Sequence, residues 1–217
     1  EIKSPQKRAT PPAFDITQAS ATTDGRIATF IMELTGEAGS VIPAAIGKLT
    51  GAKVESYVWP TRLDPKVAGF EAGSGILALA VTAHPDFDDT PLFDENADGD
   101  PANDGAGWHS HWVVLVDDKS CGAGLKVRDV SPGVDILPGT APGLPIALDS
   151  PGMSPSVQEN RLRISVPLKD AANAGFDAVT AELEVNAEGK APLLCVSTVH
   201  KIASGDLSFP GMITLAK

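Results

Sequence analysis

WHSHWVVLVDD, residues 108–118, sets the reading of the chain. Its β-branched and aromatic residues predict a strand. Two-residue alternation then puts His109, His111, Val113 and Leu115 on one face, and Trp108, Trp112, Val114 and Val116 on the other. Upstream, GILALAVTAH (75–84) is a nearly continuous apolar run of strand length between Gly75 and Pro85, which predicts a buried strand ending at His84.

Further out, the same logic predicts strands in RIATFIMEL, VESYVWP, LKVRDV and RLRISVPL, the last with Leu162, Ile164, Val166 and Leu168 inward. Residues 178–202 read as a hairpin turning at NAEGK, with His200 on the face of Leu194, Val196 and Ile202. One short helix is expected over residues 36–51, capped by Ser40 and ended by Gly51, and a helical turn over 170–178. Residues 131–158 read as a surface wrap that packs Ile136, Leu137, Leu144, Ile146 and Leu148 against the body. Residues 1–12 are expected to form an extended, poorly ordered arm, and 13–217 a single domain. The fold class is therefore mainly β: an antiparallel β-sandwich with long irregular loops and one or two short helices.

A net charge of -11 over 217 residues argues against a nucleic-acid or anionic-membrane partner. No apolar run reaches the length of a transmembrane segment. The first residues lack the apolar core of a signal peptide, but so does a processed chain, so they leave the compartment open. Cys121 and Cys195 are either one disulfide of an exported domain or two buried thiols.

Between the two apolar strands, residues 86–104 carry eight carboxylates (Asp86, Asp88, Asp89, Asp94, Glu95, Asp98, Asp100, Asp104) and no Lys or Arg. Asp94, Asn96, Asp98 and Gly99 match the first half of a calcium loop, in which alternate side chains converge and the glycine makes the turn. Gly105 stands where such loops place a bidentate Glu, so Asp100, Asp104 or, in reserve, Asp89 is expected to complete the shell. This predicts a calcium ion as a structural cofactor.

A His pair at i and i+2 on a strand sends both imidazoles to one side, which offers two nitrogen ligands to zinc, copper, nickel or iron. His109 and His111 meet this condition, and a third imidazole has to come from His84 or His200.

GWHSHWVVLVDD after the acidic loop, the later strand VSTVHKI and the opening FDITQASATTDGRIATFIMELTG together resemble the copper-binding surface proteins of methane-oxidising bacteria, the MopE and CorA group. The resemblance implies an exported, mainly β protein that holds one copper ion, largely as Cu(I), through two histidines and an oxidised tryptophan; a three-nitrogen site on this chain would accept Cu(I) or Cu(II). Carried onto this chain it implies His111 and His200 as ligands. The family's tryptophan position, two residues before its histidine, is His109 here. The expected copper site is accordingly His109, His111 and His200, with His84 or, through a bulge, Trp108 in reserve.

The resulting expectation is an exported copper-binding protein serving acquisition, sequestration or delivery, whose partners are metal ions and a copper-handling or outer-membrane protein. One alternative is a small copper or zinc enzyme using Asp86, Asp88 or Asp104 as acid or base, although no HExxH or GxSxG motif supports it. Another is a calcium-dependent carbohydrate-binding or adhesion module, with Trp59, Trp108 and Trp112 as an exposed stacking surface.

Overall fold

Alternating apolar segments joined by Gly- and Pro-rich turns build a fold of fifteen strands in the computed structural model, which describes residues 1–131, 133–141, 143–188 and 192–216. In chain order these are β1 (Ile2–Lys3), β2 (Ile16–Thr23), β3 (Ile27–Leu34), β4 (Lys53–Pro60), β5 (Ile76–Ala83), β6 (His109–Asp117), β7 (Leu125–Val127) and β8 (Leu148–Asp149). They continue with β9 (Ser156–Gln158), β10 (Arg161–Pro167), β11 (Gly175–Phe176), β12 (Val179–Val185), β13 (Leu194–Ile202), β14 (Gly211–Met212) and β15 (Thr214–Leu215).

One sheet runs β1-β2-β3-β10-β9, with β15 added to β2. The second runs β5-β4-β12-β13-β7-β6-β8, and β6 also pairs with β5, so six of its strands close into a ring. The pairings are antiparallel except for β15 on β2, which is parallel. The expected mainly β antiparallel class is therefore what folds, with one layer curled into a barrel.

Closure of the ring explains the unbroken apolar run of β5. Leu77, Leu79 and Val81 join Phe30, Trp59, Trp112 and Val114 in the core between the two sheets, while Ala78 and Ala80 face the ring interior with Val54, Val113 and Leu183. Both faces of the strand are buried, so neither needs polar residues. On β10, Leu162, Ile164 and Val166 are buried as their alternation predicted, and Leu168 just beyond the strand is buried with them.

No helix forms over residues 36–51. Gly39, Gly47 and Gly51 adopt left-handed φ of 69°, 72° and 84°, and the N–H groups of Ile46 and Gly47 bond to Asp86 Oδ1 instead of to helical carbonyls. Residues 170–178 are not helical either: Asp170 and Asn173 take positive φ, and Gly175–Phe176 is a strand. The helical pieces among the described residues are three 3-10 turns at Pro12–Phe14, Pro65–Ala68 and Asp104–Ala106.

The amino-terminal arm is docked, not loose. Ile2 pairs with Ala19, the Lys201 ammonium donates to the Pro5 carbonyl at 2.7 Å, and the Thr10 hydroxyl donates to the His200 carbonyl. Within the wrap, Ile146 and Leu148 are buried, but Ile136 is 67% exposed. Pro132 and Pro142 of the wrap, and Gly189 and Lys190 of the NAEGK turn, lie outside the described residues. Cys121 and Cys195 form a disulfide that ties the β6–β7 turn to β13. Only one residue pair, Cys195 with Lys126, joins β13 to β7, so the disulfide sits at the thinnest seam of the ring.

Candidate metal centre

The β5–β6 pairing sets Thr82 opposite His109 and Ala80 opposite His111, and both imidazoles follow the alternation toward the ring interior. His84 lies just past the end of β5, where its N–H donates to the Gly105 carbonyl at 2.6 Å. Gly105 is required at that crossing: a Cβ there would stand 2.0 Å from the Phe87 carbonyl oxygen and 2.6 Å from that of His84. The acidic loop thereby folds back over the strand ends and delivers Asp89.

His84, Asp89, His109 and His111 form a cluster whose ligand atoms all lie within 4.8 Å of one another. Asp89 Oδ1 is 3.2 Å from the Nε2 of each of the three histidines, and His109 Nε2 is 2.9 Å from His84 Nε2. Around a metal with bonds of about 2.0–2.1 Å, a tetrahedron has edges of roughly 3.3–3.4 Å, a few tenths of an ångström longer than these contacts. The three histidines are 1% exposed, so water does not separate these atoms.

The opposite nitrogens decide what the cluster can hold. His84 Nδ1 faces the Phe87 carbonyl at 2.8 Å and His109 Nδ1 faces the Gly107 carbonyl at 2.7 Å. Carbonyls only accept, so both Nδ1 atoms carry hydrogen. His111 Nδ1 meets Ser150 Oγ at 3.0 Å, and that hydroxyl spends its own hydrogen on the Asp89 carbonyl at 2.8 Å, so it accepts from His111. When the rings are neutral, their Nε2 lone pairs turn onto a carboxylate oxygen, and His111 Nε2 is buried with no hydrogen-bond partner. Such outer hydrogen bonds are the means by which metal-binding histidines are fixed in tautomer and orientation.

Without a metal, a proton can relieve only part of this. Burial depresses the His84 imidazole, but the Asp89 carboxylate outweighs it and His84 is raised. For His111 burial prevails over the attraction of Asp89, helped by repulsion from His109 and His84, and the group is lowered. The two shift oppositely at equal distance from Oδ1 because one carboxylate offsets one buried imidazolium but not a second. Asp89 falls well below the usual carboxylate range, since His111 and His84 overcome the opposing effect of its burial.

His200, expected as a copper ligand, is not in the cluster. The β12–β13 register pairs Ala181 with Val199 and Thr180 with Lys201, which leaves His200 as the extra residue of a bulge; a second shift lies between Glu182 and Leu183. Alternation counted through these bulges assigns the wrong face. His200 turns away from the ring interior, stacks on Phe14 at 4.4 Å and bonds to Glu55 Oε2 at 2.9 Å. His84, named as the reserve, takes the third place.

Trp108 is no substitute ligand. Its indole N–H donates to the Gly39 carbonyl and its ring packs on Tyr57 at 4.9 Å, on the face opposite His109. Trp59 and Trp112 are 0% and 4% exposed, so the three tryptophans form no stacking surface for sugars.

Asp89, a reserve ligand for the calcium loop, belongs to the histidines instead. Asp94 accepts from the Asp98 and Gly99 N–H groups, with Gly99 at φ 92° in the turn, and Asp98 accepts from the Asp100 N–H and from Asn103. Asp100 accepts from the Ala102 N–H, and the Asn96 carboxamide bonds Asp98 and Asn103. Asp104 is buried, and its two oxygens accept from the Glu95 and Asn96 N–H groups, closing the loop. Among the described residues no second set of three His, Cys, Asp or Glu side chains converges as the histidine cluster does. Asp86 is committed to Ile46 and Gly47, and Asp88 to Thr90 and to the Asp104 N–H.

Sequence reasoning missed Asp89 as a partner of the histidines and Ser150 as their support. The spacing of His84 and Asp89, ahead of His109-x-His111, was the available signal for the first; Ser150 carried none, because the wrap's path decides its place. The chain matches no protein-family model, no curated protein and no solved structure.

Proposed function

We propose that the protein is an exported metal-binding protein that holds one divalent late first-row transition ion, copper(II) or zinc, through His84, Asp89, His109 and His111. One observation carries this reading: three imidazole Nε2 atoms and a carboxylate oxygen converge in a buried space, with the Nδ1 of each ring held from outside by a hydrogen bond. A single cation satisfies all four. Imidazole with carboxylate suits copper and zinc, and the carboxylate disfavours the softer Cu(I). Affinity order favours copper(II), whereas a carboxylate oxygen 3.2 Å from each of three imidazole nitrogens is compatible with the zinc tetrahedron. Four protein donors fill a tetrahedral shell, which supports binding over catalysis.

Export and copper also draw on the resemblance to the methane-oxidiser surface proteins, and the Cys121–Cys195 disulfide suits an oxidising compartment. Calcium at Asp94, Asn96, Asp98 and Asp100 is the second part of the proposal, supported by the turn at Gly99. Titration of metal-free protein with copper(II) and with zinc tests the first part. One ion per chain, lost in His109→Ala, is expected; no stoichiometric binding by either ion would overturn it. Thermal melting with and without a calcium-selective chelator tests the loop, and an unchanged midpoint counts against it.

A further inference from the structure

We propose that the interior of the strand ring is a chamber for one small, uncharged, apolar molecule, held against the metal centre. This rests on the metal reading above. The ring interior holds a partly open cavity of about 80 Å³ whose walls are almost wholly apolar, among them Val54, Val58, Val113, Ala181, Leu183 and Val196. Its polar end consists of His84, Asp89 and His111, three of the four proposed ligands, with Thr82 beside them. The space exists because several inward positions are small, Ala80 on β5 and Ala181 on β12 in particular.

The chemistry of the wall selects the occupant. A buried water needs two to four polar partners. Ser56 Oγ is already committed to the Ala181 carbonyl at 2.7 Å, and a metal would take His111 Nε2 and Asp89. What remains is a dry apolar space. Engineered apolar cavities of about 150 Å³ bind benzene or xenon. At roughly half that size, this chamber admits molecules on the scale of xenon, dioxygen or a very small alkane and excludes benzene. An occupant would touch the protein's apolar walls and the inner side of the metal site together.

Xenon is the probe, with cobalt(II) as a paramagnetic ion in the metal site. In ¹²⁹Xe NMR the wild-type protein should give a saturable xenon shift, and cobalt loading should sharply shorten the relaxation of the bound xenon. Ala181→Leu should bind cobalt normally but xenon roughly tenfold more weakly; Ala181→Val, the gentler filling, should give an intermediate loss. Benzene should not compete. Stoichiometric cobalt binding with no saturable xenon shift, or with the same shift in both variants, overturns the chamber and leaves the metal reading standing. A saturable xenon shift in a protein that binds no cobalt overturns the metal reading, and the proposed juxtaposition with it.

Discussion

His109 Nε2 faces His84 Nε2 at 2.9 Å, and in the neutral rings neither nitrogen carries a hydrogen, because the Nδ1 atoms hold them against the Gly107 and Phe87 carbonyls. A proton relieves that contact in part, and a metal ion relieves it together with the other two donors. His84→Ala should therefore weaken copper(II) or zinc binding by on the order of 100-fold or more. His200→Ala should leave affinity within about threefold while lowering stability by about 1–3 kcal/mol, because Glu55 loses the partner of its buried carboxylate. Calorimetric titration beside chemical denaturation separates the two effects.

Ser150 is not one of the proposed ligands, yet among the described residues it alone bonds His111 Nδ1, and it also grips the Asp89 backbone. Ser150→Ala should lower metal affinity by roughly 10–100-fold with the one-to-one stoichiometry intact. Competition against a chromophoric chelator measures this.

Asp149 gives a pH signature away from the metal. Burial pushes its carboxyl up to about 6, only partly opposed by the Ser150 backbone, and Oδ1 has no hydrogen-bond partner. The folded state therefore holds this proton more tightly than the unfolded chain. Its contribution to stability is fully present below the unfolded value of 3.8 and is lost as pH rises through about 6. Asp149→Asn should stabilise the protein by roughly 1–3 kcal/mol at pH 7–8 and flatten the decline between pH 4 and 6. Urea titrations across that range provide the check.

Replacing both Cys121 and Cys195 by Ser opens a loop with a sequence separation of 74. Chain entropy sets the cost at about 4 kcal/mol at 25 °C. Since the bond lies at the seam held by a single strand pair, hydrogen exchange should rise first in β7 and β13.

Where apolar residues alternate or run unbroken over a strand's length, the sequence was a sufficient guide. β5, β6 and β10 stand where their patterns put them, and so does the inward face carrying His109 and His111. What escaped was long-range. A bulge adds a residue without changing composition, and the one at His200 moved a histidine out of the ring interior. The apolar residues of 36–51 looked helical, but Val41, Ile42, Ile46 and Leu49 stay exposed on a loop fastened by the distant Asp86. Asp89 was indistinguishable from seven neighbouring carboxylates until the loop's return through Gly105 singled it out.

β2 is gripped from both directions, by Ile2–Lys3 on one stretch and by Thr214–Leu215 on the next. A chain made from its amino terminus cannot complete that edge until residue 215 has emerged, and contacts of such separation are slow to form. The four proposed metal ligands, by contrast, fall within the 28 residues from 84 to 111, where the β5–β6 pairing places His109 and His111. Their cage is nevertheless closed by a later piece of chain, because Ser150 in the wrap holds both His111 Nδ1 and the Asp89 carbonyl.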